Sequence, residues 1–342
     1  EASFSYTQTK SEGETFYSPL SKRFYDKDAA KRGSFDVSNG TAVTLSGNAF
    51  VVFNKGWGRD NANLLSLTAG VNVESAQSES HSFSALGVLS DKLEHPSMAT
   101  GFAESSHPGG SEDRSRMLGC YVNANYIWGN RYFVDLSFRY EGSSKFGDDN
   151  KYAPFGALGL GWNLHKEKFL DDVEWIDVMR LTWSWGYNGQ TTGSPYQAIT
   201  TYRYDNKNMY YTGVGTVPIR MGNPELKWQR VLKNNIGIDL TLFKERLVLS
   251  FDYFRNTTKD QLMSIPLPAS TGAENITVNF GENQNTGYDF SVAAQIIRNR
   301  NWAWTSVING SHVKDRIKRI SNTLKNTSYQ VDLDSPLMLR FR

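Results

Sequence analysis

Stretches of about ten residues in which apolar and polar side chains alternate recur along this chain, and no other feature constrains its fold as much. From Tyr132 to Glu141, one face carries Tyr132, Val134, Leu136, Phe138 and Tyr140; the other carries Phe133, Asp135, Ser137, Arg139 and Glu141. The same division sets Leu158, Leu160 and Trp162 against Ala157, Gly159 and Gly161. It sets Leu181, Trp183 and Trp185 against Arg180, Thr182 and Ser184, and Ile236, Ile238 and Leu240 against Asn235, Gly237 and Asp239. Tyr288, Phe290 and Val292 oppose Asp289 and Ser291, and Leu65, Leu67 and Ala69 oppose Ser66 and Thr68. A β-strand turns successive side chains to opposite faces, so each stretch reads as a strand with unlike faces. Soluble strands commonly run to about 5–6 residues. Longer strands with aromatics near their ends suit a transmembrane barrel, with lipid outside and a polar lumen inside. Leu136, Phe138, Trp162, Trp183, Leu240 and Phe290 are therefore expected toward lipid, and Asp135, Arg139, Asp239 and Asp289 toward the lumen. A soluble sandwich or propeller is the competing reading.

Composition agrees with the barrel. Only 39% of the residues are apolar, yet 13% are aromatic, with 19 Phe, 17 Tyr and 9 Trp. Disordered chains are poor in aromatics. Lys plus Arg is 37 against 35 Asp plus Glu, a net charge of +2, and no basic run tracks a phosphate backbone, so no nucleic-acid partner is expected. Cys120 is the single cysteine, which excludes an intrachain disulfide. No apolar run approaches the ~18 residues of a membrane helix. The five histidines are scattered, Asp148-Asp149-Asn150 reads as a solvated turn, and no paired carboxylates or nucleophile–base set stands out. Neither a catalytic residue, a metal site nor a cofactor is expected.

Connections alternate between short and long. Trp128-Gly129-Asn130, Lys244-Glu245 and Arg298-Asn299-Arg300 are short; polar segments near 10–36, 79–114, 189–229, 259–283 and 314–342 are long. Outer-membrane barrels pair short periplasmic turns with longer extracellular loops in this way. The segment His165–Trp175 is an exception, a longer connection on the short-turn side. About eleven crossings can be counted, whereas bacterial single-chain barrels have an even number. The stretch is thus expected to belong to a larger polypeptide.

Six ordered motifs between about 115 and 290 narrow the reading. They are Arg139-Tyr140-Glu141-Gly142-Ser143-Ser144-Lys145-Phe146; Lys151-Tyr152-Ala153-Pro154-Phe155 leading to Gly161-Trp162 and Glu167-Lys168-Phe169; and Leu181-Thr182-Trp183-Ser184-Trp185-Gly186-Tyr187-Asn188-Gly189-Gln190. Then come Asn223-Pro224-Glu225-Leu226-Lys227-Trp228-Gln229 with Asn235-Ile236-Gly237-Ile238-Asp239; Asp252-Tyr253-Phe254 with Thr258-Lys259-Asp260-Gln261-Leu262; and Asn279-Phe280-Gly281 with Asn285-Thr286-Gly287-Tyr288-Asp289. Together they resemble the barrel of SusC/RagA-type TonB-dependent transporters of Bacteroidota. Glu141, Gln190, Gln229 and Asp289 are conservative departures from that pattern.

The resemblance implies a 22-stranded barrel, of which about eleven strands are visible, and a plug domain lying outside this stretch. It also implies energised import of oligosaccharides or oligopeptides, with a SusD-like surface lipoprotein as lid and the TonB–ExbB–ExbD complex supplying force. A structural or assembly barrel within a larger outer-membrane complex is the alternative, with a passive porin behind it. In the segment 189–229, Tyr196, Tyr202, Arg203, Tyr204, Tyr210, Tyr211 and Trp228 stand among Asn, Thr and Gly. Such aromatics suit stacking on sugars or docking a partner; packing the segment onto its neighbours is the other reading.

Overall fold

The computed structural model describes residues 1–58, 61–92, 94–102, 108–211 and 213–319, the side chains of 205–210 excepted. Eleven long strands run up and down in one antiparallel sheet: β1 (Ala2–Tyr17), β2 (Ser34–Trp57), β3 (Asn63–Leu86), β5 (Gly109–Trp128), β6 (Tyr132–Ser143), β7 (Tyr152–Asn163), β8 (Ile176–Gln190), β11 (Gln229–Leu242), β12 (Leu247–Pro266), β13 (Asn275–Arg298) and β14 (Ala303–Arg319). The two-residue β4 (Gly101–Phe102) pairs with β3, and β9 (Thr201–Tyr210) and β10 (Gly213–Arg220) form a separate hairpin. The eleven expected crossings are thus all present, each beside its sequence neighbour.

Register carries the alternation across the whole sheet. Trp162, Leu181, Ile238, Phe251 and Phe290 are successive partners on five strands, and Leu67, Ala124, Leu136, Leu158 and Trp185 make a second such row. Leu136, Phe138, Trp162, Trp183, Leu240 and Phe290 consequently share one apolar face. Asp135, Arg139, Asp239 and Asp289 share the other. A slip of one residue would turn a strand's side chains to the wrong face, so an apolar face continuous over the eight strands of these two rows is a strong constraint. Aromatic pairs border this face. Trp57 stacks on Tyr126, Trp128 and Trp162 flank Tyr132 at the short-turn end, and Tyr140 stacks on Tyr152 toward the other. Tyr132 and Tyr140 lie eight residues apart, roughly 27 Å along the strand at about 3.4 Å per residue, comparable with the apolar band of outer-membrane barrels.

Several strands run beyond what the alternation indicated. β2, β3 and β13 each hold 24 residues, and pairing enters the segments anticipated as connections. In 10–36 the strands leave only 18–33 unpaired; in 79–114 β3 stays paired through Leu86, with β4 at Gly101–Phe102 and with β5 from Gly109; in 259–283 pairing leaves 267–274. Beyond the band both faces of a strand carry mostly polar side chains, as in residues 78–82 of β3. Side-chain alternation stops there while the backbone ladder continues. Of the expected segment 314–342, Lys314–Arg319 belongs to β14 and the remainder lies outside the described residues.

The apolar band has no interior, because a single sheet exposes both faces. Leu242 apart, the buried apolar residues gather toward the end with the long connections. Phe35, Val37 and Val88 form one cluster there, and Phe146, Phe155, Leu226 and Trp228 form the other.

Candidate ligand-facing surfaces: the polar face and the long connection

On the polar face, short side chains hold one another across the strands. Ser137 Oγ donates to Asn123 Oδ1 at 2.7 Å, Ser250 Oγ to Asp239 Oδ1 at 2.9 Å and Ser311 Oγ to Asp289 Oδ1 at 2.6 Å. Asn125 Nδ2 donates to Asp135 Oδ1, and Arg139 pairs with Glu141 at 2.5 Å while lying over the Tyr121 ring. Charges are few between β1 and β5 and more frequent from β6 onward, where Asp252 and Asp289 stand opposite each other. This wall is a hydrated, hydrogen-bonding surface. Among the described residues, no group of three or more His, Cys, Asp or Glu is placed to hold a metal ion.

The connection from β8 to β11 has two parts of different character. Its later limb, Met221–Trp228, is clamped on both sides. Leu226 and Trp228 are 1% and 3% exposed. The Trp228 ring lies 4.7 Å from that of Phe146 and 5.3 Å from that of Phe155, and its Nε1 donates to the Lys151 carbonyl at 3.0 Å. Gly147 N donates to the Leu226 carbonyl at 2.9 Å. A Cβ on Gly147 would stand 1.6 Å from the Pro224 carbonyl oxygen, so only glycine permits this approach. On the other flank, Asn223 Nδ2 reaches the Thr277 carbonyl at 2.9 Å. Asn279 accepts from Lys227 N and donates to the carbonyls of Lys227 and Asp260. Asp260, left-handed (φ 56°) at a bulge of β12, pairs with Lys227 at 3.1 Å and Arg230 at 2.6 Å.

The earlier part is the β9–β10 hairpin, which projects from the main sheet. Tyr202 and Tyr204 occupy alternate positions of β9 and are largely exposed, with the exposed Arg203 between them on the opposite side. Tyr211, at the tip, is fully exposed. Tyr196 is half-buried at the hairpin's approach, with φ 64°. The side chain of Tyr210 lies outside the described residues. Trp228, expected as a contact residue, is instead the centre of the clamp: its indole is enclosed by Phe146, Phe155 and Leu226 and has no free face. The structure thus brings Tyr202, Arg203, Tyr204 and Tyr211 onto one hairpin and sets Trp228 apart from them.

Sequence reasoning missed the clamp as such. Phe146, Asn223, Asp260 and Asn279 stand inside recognised motifs and Gly147 directly follows one, but nothing in the motifs says that they dock on one another. The available signal was their shape: an apolar residue isolated among Gly, Ser, Asn and Pro, in segments too polar to bury anything else.

The sequence profile described as "TonB dependent receptor-like, beta-barrel" matches residues 1–341. TonB-dependent receptor P3 of Formosa agariphila is 30% identical over 293 residues, which cover 84% of this chain and 28% of that protein. TonB-dependent receptor SusC of Bacteroides thetaiotaomicron is 30% identical over 197 residues, 56% of this chain and 20% of its own. A solved structure titled as that of the RagAB peptide transporter superposes with a TM-score of 0.84 at 23% identity, covering 96% of this chain and 36% of the compared one. The chain therefore spans less than a third of the length of these two receptors, and its fold is that of the RagAB chain. The SusC/RagA-type resemblance read from the motifs is borne out, and the chain belongs to the TonB-dependent receptor-like β-barrel family.

Proposed function

We propose that this chain forms part of the wall and outer loops of an outer-membrane importer that takes up oligosaccharides or oligopeptides. The observation that carries the reading is the apolar face continuous over eight strands from β3 to β13, backed by a hydrogen-bonding polar face. Such a sheet is stable where one side meets lipid and the other a hydrated lumen. Leu136, Phe138, Trp162, Trp183, Leu240 and Phe290 face lipid in this reading; Asp135, Arg139, Asp239 and Asp289 face the passage. Import is driven through TonB–ExbB–ExbD acting on parts of the polypeptide beyond this chain. The long connections lie outside the cell, where Tyr202, Arg203, Tyr204 and Tyr211 meet substrate or a SusD-like lipoprotein. Names of relatives support this choice of cargo, since one is a SusC and the compared structure is titled a peptide transporter.

Removing Thr201–Arg220 from the full-length protein while keeping the clamped limb Met221–Trp228 tests the reading. The shortened protein is expected to assemble with unchanged strand pairing, because the hairpin forms its own sheet. Uptake of the cognate nutrient or retention of the surface lipoprotein is expected to fall. Normal growth on that nutrient together with normal lipoprotein pull-down would remove the hairpin from the reading.

A further inference from the structure

We infer that the connection between β7 and β8 is an interfacial foot that seats phospholipid headgroups at the short-turn rim of the sheet. The inference rests on the reading of this chain as a barrel wall in a bilayer. Neighbouring turns at the same end are minimal, occupying 129–131, 243–246 and 299–302, whereas this one occupies 164–175.

Its path is set by Glu167. The carboxylate, 13% exposed, accepts from Tyr132 Oη at 2.6 Å and Trp162 Nε1 at 3.1 Å, and pairs with Arg131 at 3.5 Å. Tyr132 and Trp162 are cross-strand partners on the apolar face. Their hold on Glu167 therefore draws the connection outward over that face's rim. The far end is tied to the adjoining turn: Trp175 stacks on Phe243 at 6.0 Å, and Phe243 N donates to the Trp175 carbonyl at 2.9 Å. In between, Glu167 N, Leu170 N, Val173 N and Ile176 N each donate three residues back. A run of such turns satisfies much of its own backbone and needs no neighbour to hold its shape.

What the foot presents is divided in two. Lys166, Lys168 and Phe169 come first, all exposed, with Phe169 at 66%. Asp171, Asp172 and Glu174 follow, also exposed. An aromatic ring preceded by two lysines is the composition of a segment lying at a membrane interface, the ring entering the acyl boundary and the ammonium groups meeting lipid phosphate. The acidic half is repelled by the same phosphates and stays in water. The occupant is a phospholipid because the surface is continuous with the aromatic border of the apolar face, through Tyr132 and Trp162. A soluble partner would have to share that border with lipid.

The test uses the full-length transporter in nanodiscs containing phosphatidylglycerol, with Cys120→Ser and single cysteines carrying a nitroxide. Collision with oxygen reports lipid and collision with a nickel chelate reports water. A label at Phe169→Cys is expected to be several-fold less accessible to nickel than one at Asp172→Cys, and Glu167→Ala is expected to abolish that difference. Lys166→Gln with Lys168→Gln is expected to shift the 169 label toward water. A label at Leu136→Cys monitors the wall itself. Lipid exposure at 136 with equal nickel access at 169 and 172 would overturn the foot and leave the wall standing. No shift in the lysine variant would overturn the headgroup contact. Water exposure at 136 would remove the wall reading, and the foot with it.

Discussion

The apolar band and the long-connection end of this sheet hold together by different means. In the band, residues such as Leu136 and Phe138 are covered only by their neighbours in the sheet and stand about half exposed. Order comes from the backbone ladder and from an environment that separates lipid from water. Around Trp228, apolar side chains bury one another as in a soluble protein, with 1–4% exposure across four residues. The difference teaches that one strand can leave one solvent and enter another, with its stabilising contacts changing character along its length. The Phe155 ring belongs to the clamp while Leu158 and Trp162 of the same strand belong to the band.

Breaking the clamp should give the largest effect. Trp228→Ala is expected to cost about 3–5 kcal/mol of local stability, read as lost hydrogen-exchange protection over Met221–Trp228 and 146–151. Protection over β6 and the lower part of β7 should stay as it is; a global loss would mean that the two regions are one cooperative unit. The band should answer to charge instead. Leu136→Arg is expected to destabilise by roughly 2–4 kcal/mol if it lies near the bilayer midplane. Asp135→Asn keeps an acceptor for Asn125 and should stay within about 0.5 kcal/mol. Reversible unfolding in bilayers ranks the two, and the opposite ranking would invert the assignment of the faces.

A smaller effect is expected from Asp260→Asn, about 1 kcal/mol, because Lys227 and Arg230 are each about half exposed and salt screens the pairs. Salt titration of the clamp's protection should narrow the gap between this variant and the parent. Smallest is a titration at the short-turn rim. The Tyr132 hydroxyl first, and then the Trp162 indole, hold the Glu167 carboxyl below its ordinary value of 4.5. A lowered carboxylate pKa means that the contact is fully present above the ordinary value and is lost as pH falls through the lowered one. Near-UV signals of Tyr132 and Trp162 should therefore change only below the ordinary glutamate range, and Glu167→Gln should remove the transition.

Much of the band was legible in the sequence because its two faces differ in character, which makes residues such as Leu136 and Asp135 alternate. The strand extensions were illegible for the converse reason: Ser78, Ser80 and Ser82 of β3 carry no face label, although they pair fully. For Trp228 the packing reading holds, and the sequence alone does not single it out because Asn223, Pro224, Glu225 and Lys227 around it look like a solvated loop. Its enclosing partners Phe146 and Phe155 are more than 70 residues away in the chain. The Tyr202 and Tyr204 alternation in β9 was present in the sequence, but a lone polar hairpin has no buried side to make it conspicuous.

Among the described residues, the register of the main sheet changes only at Thr241/Leu242 and Gln295/Ile297, beside the short turns, and at Thr258/Gln261, Gln261/Leu262 and Glu282/Asn283, on the long-connection side of the band. This distribution has an evolutionary consequence. A single-codon insertion in mid-strand would invert every residue between it and the next turn, exchanging leucines for aspartates across a bilayer at one stroke. The same insertion at a bulge or in a connection changes only length. Gene-level drift in size should accordingly be channelled into the rims, and above all into the long connections, while the band changes by substitution. Such a wall can acquire new recognition surfaces by lengthening its loops without renegotiating its fit to the membrane.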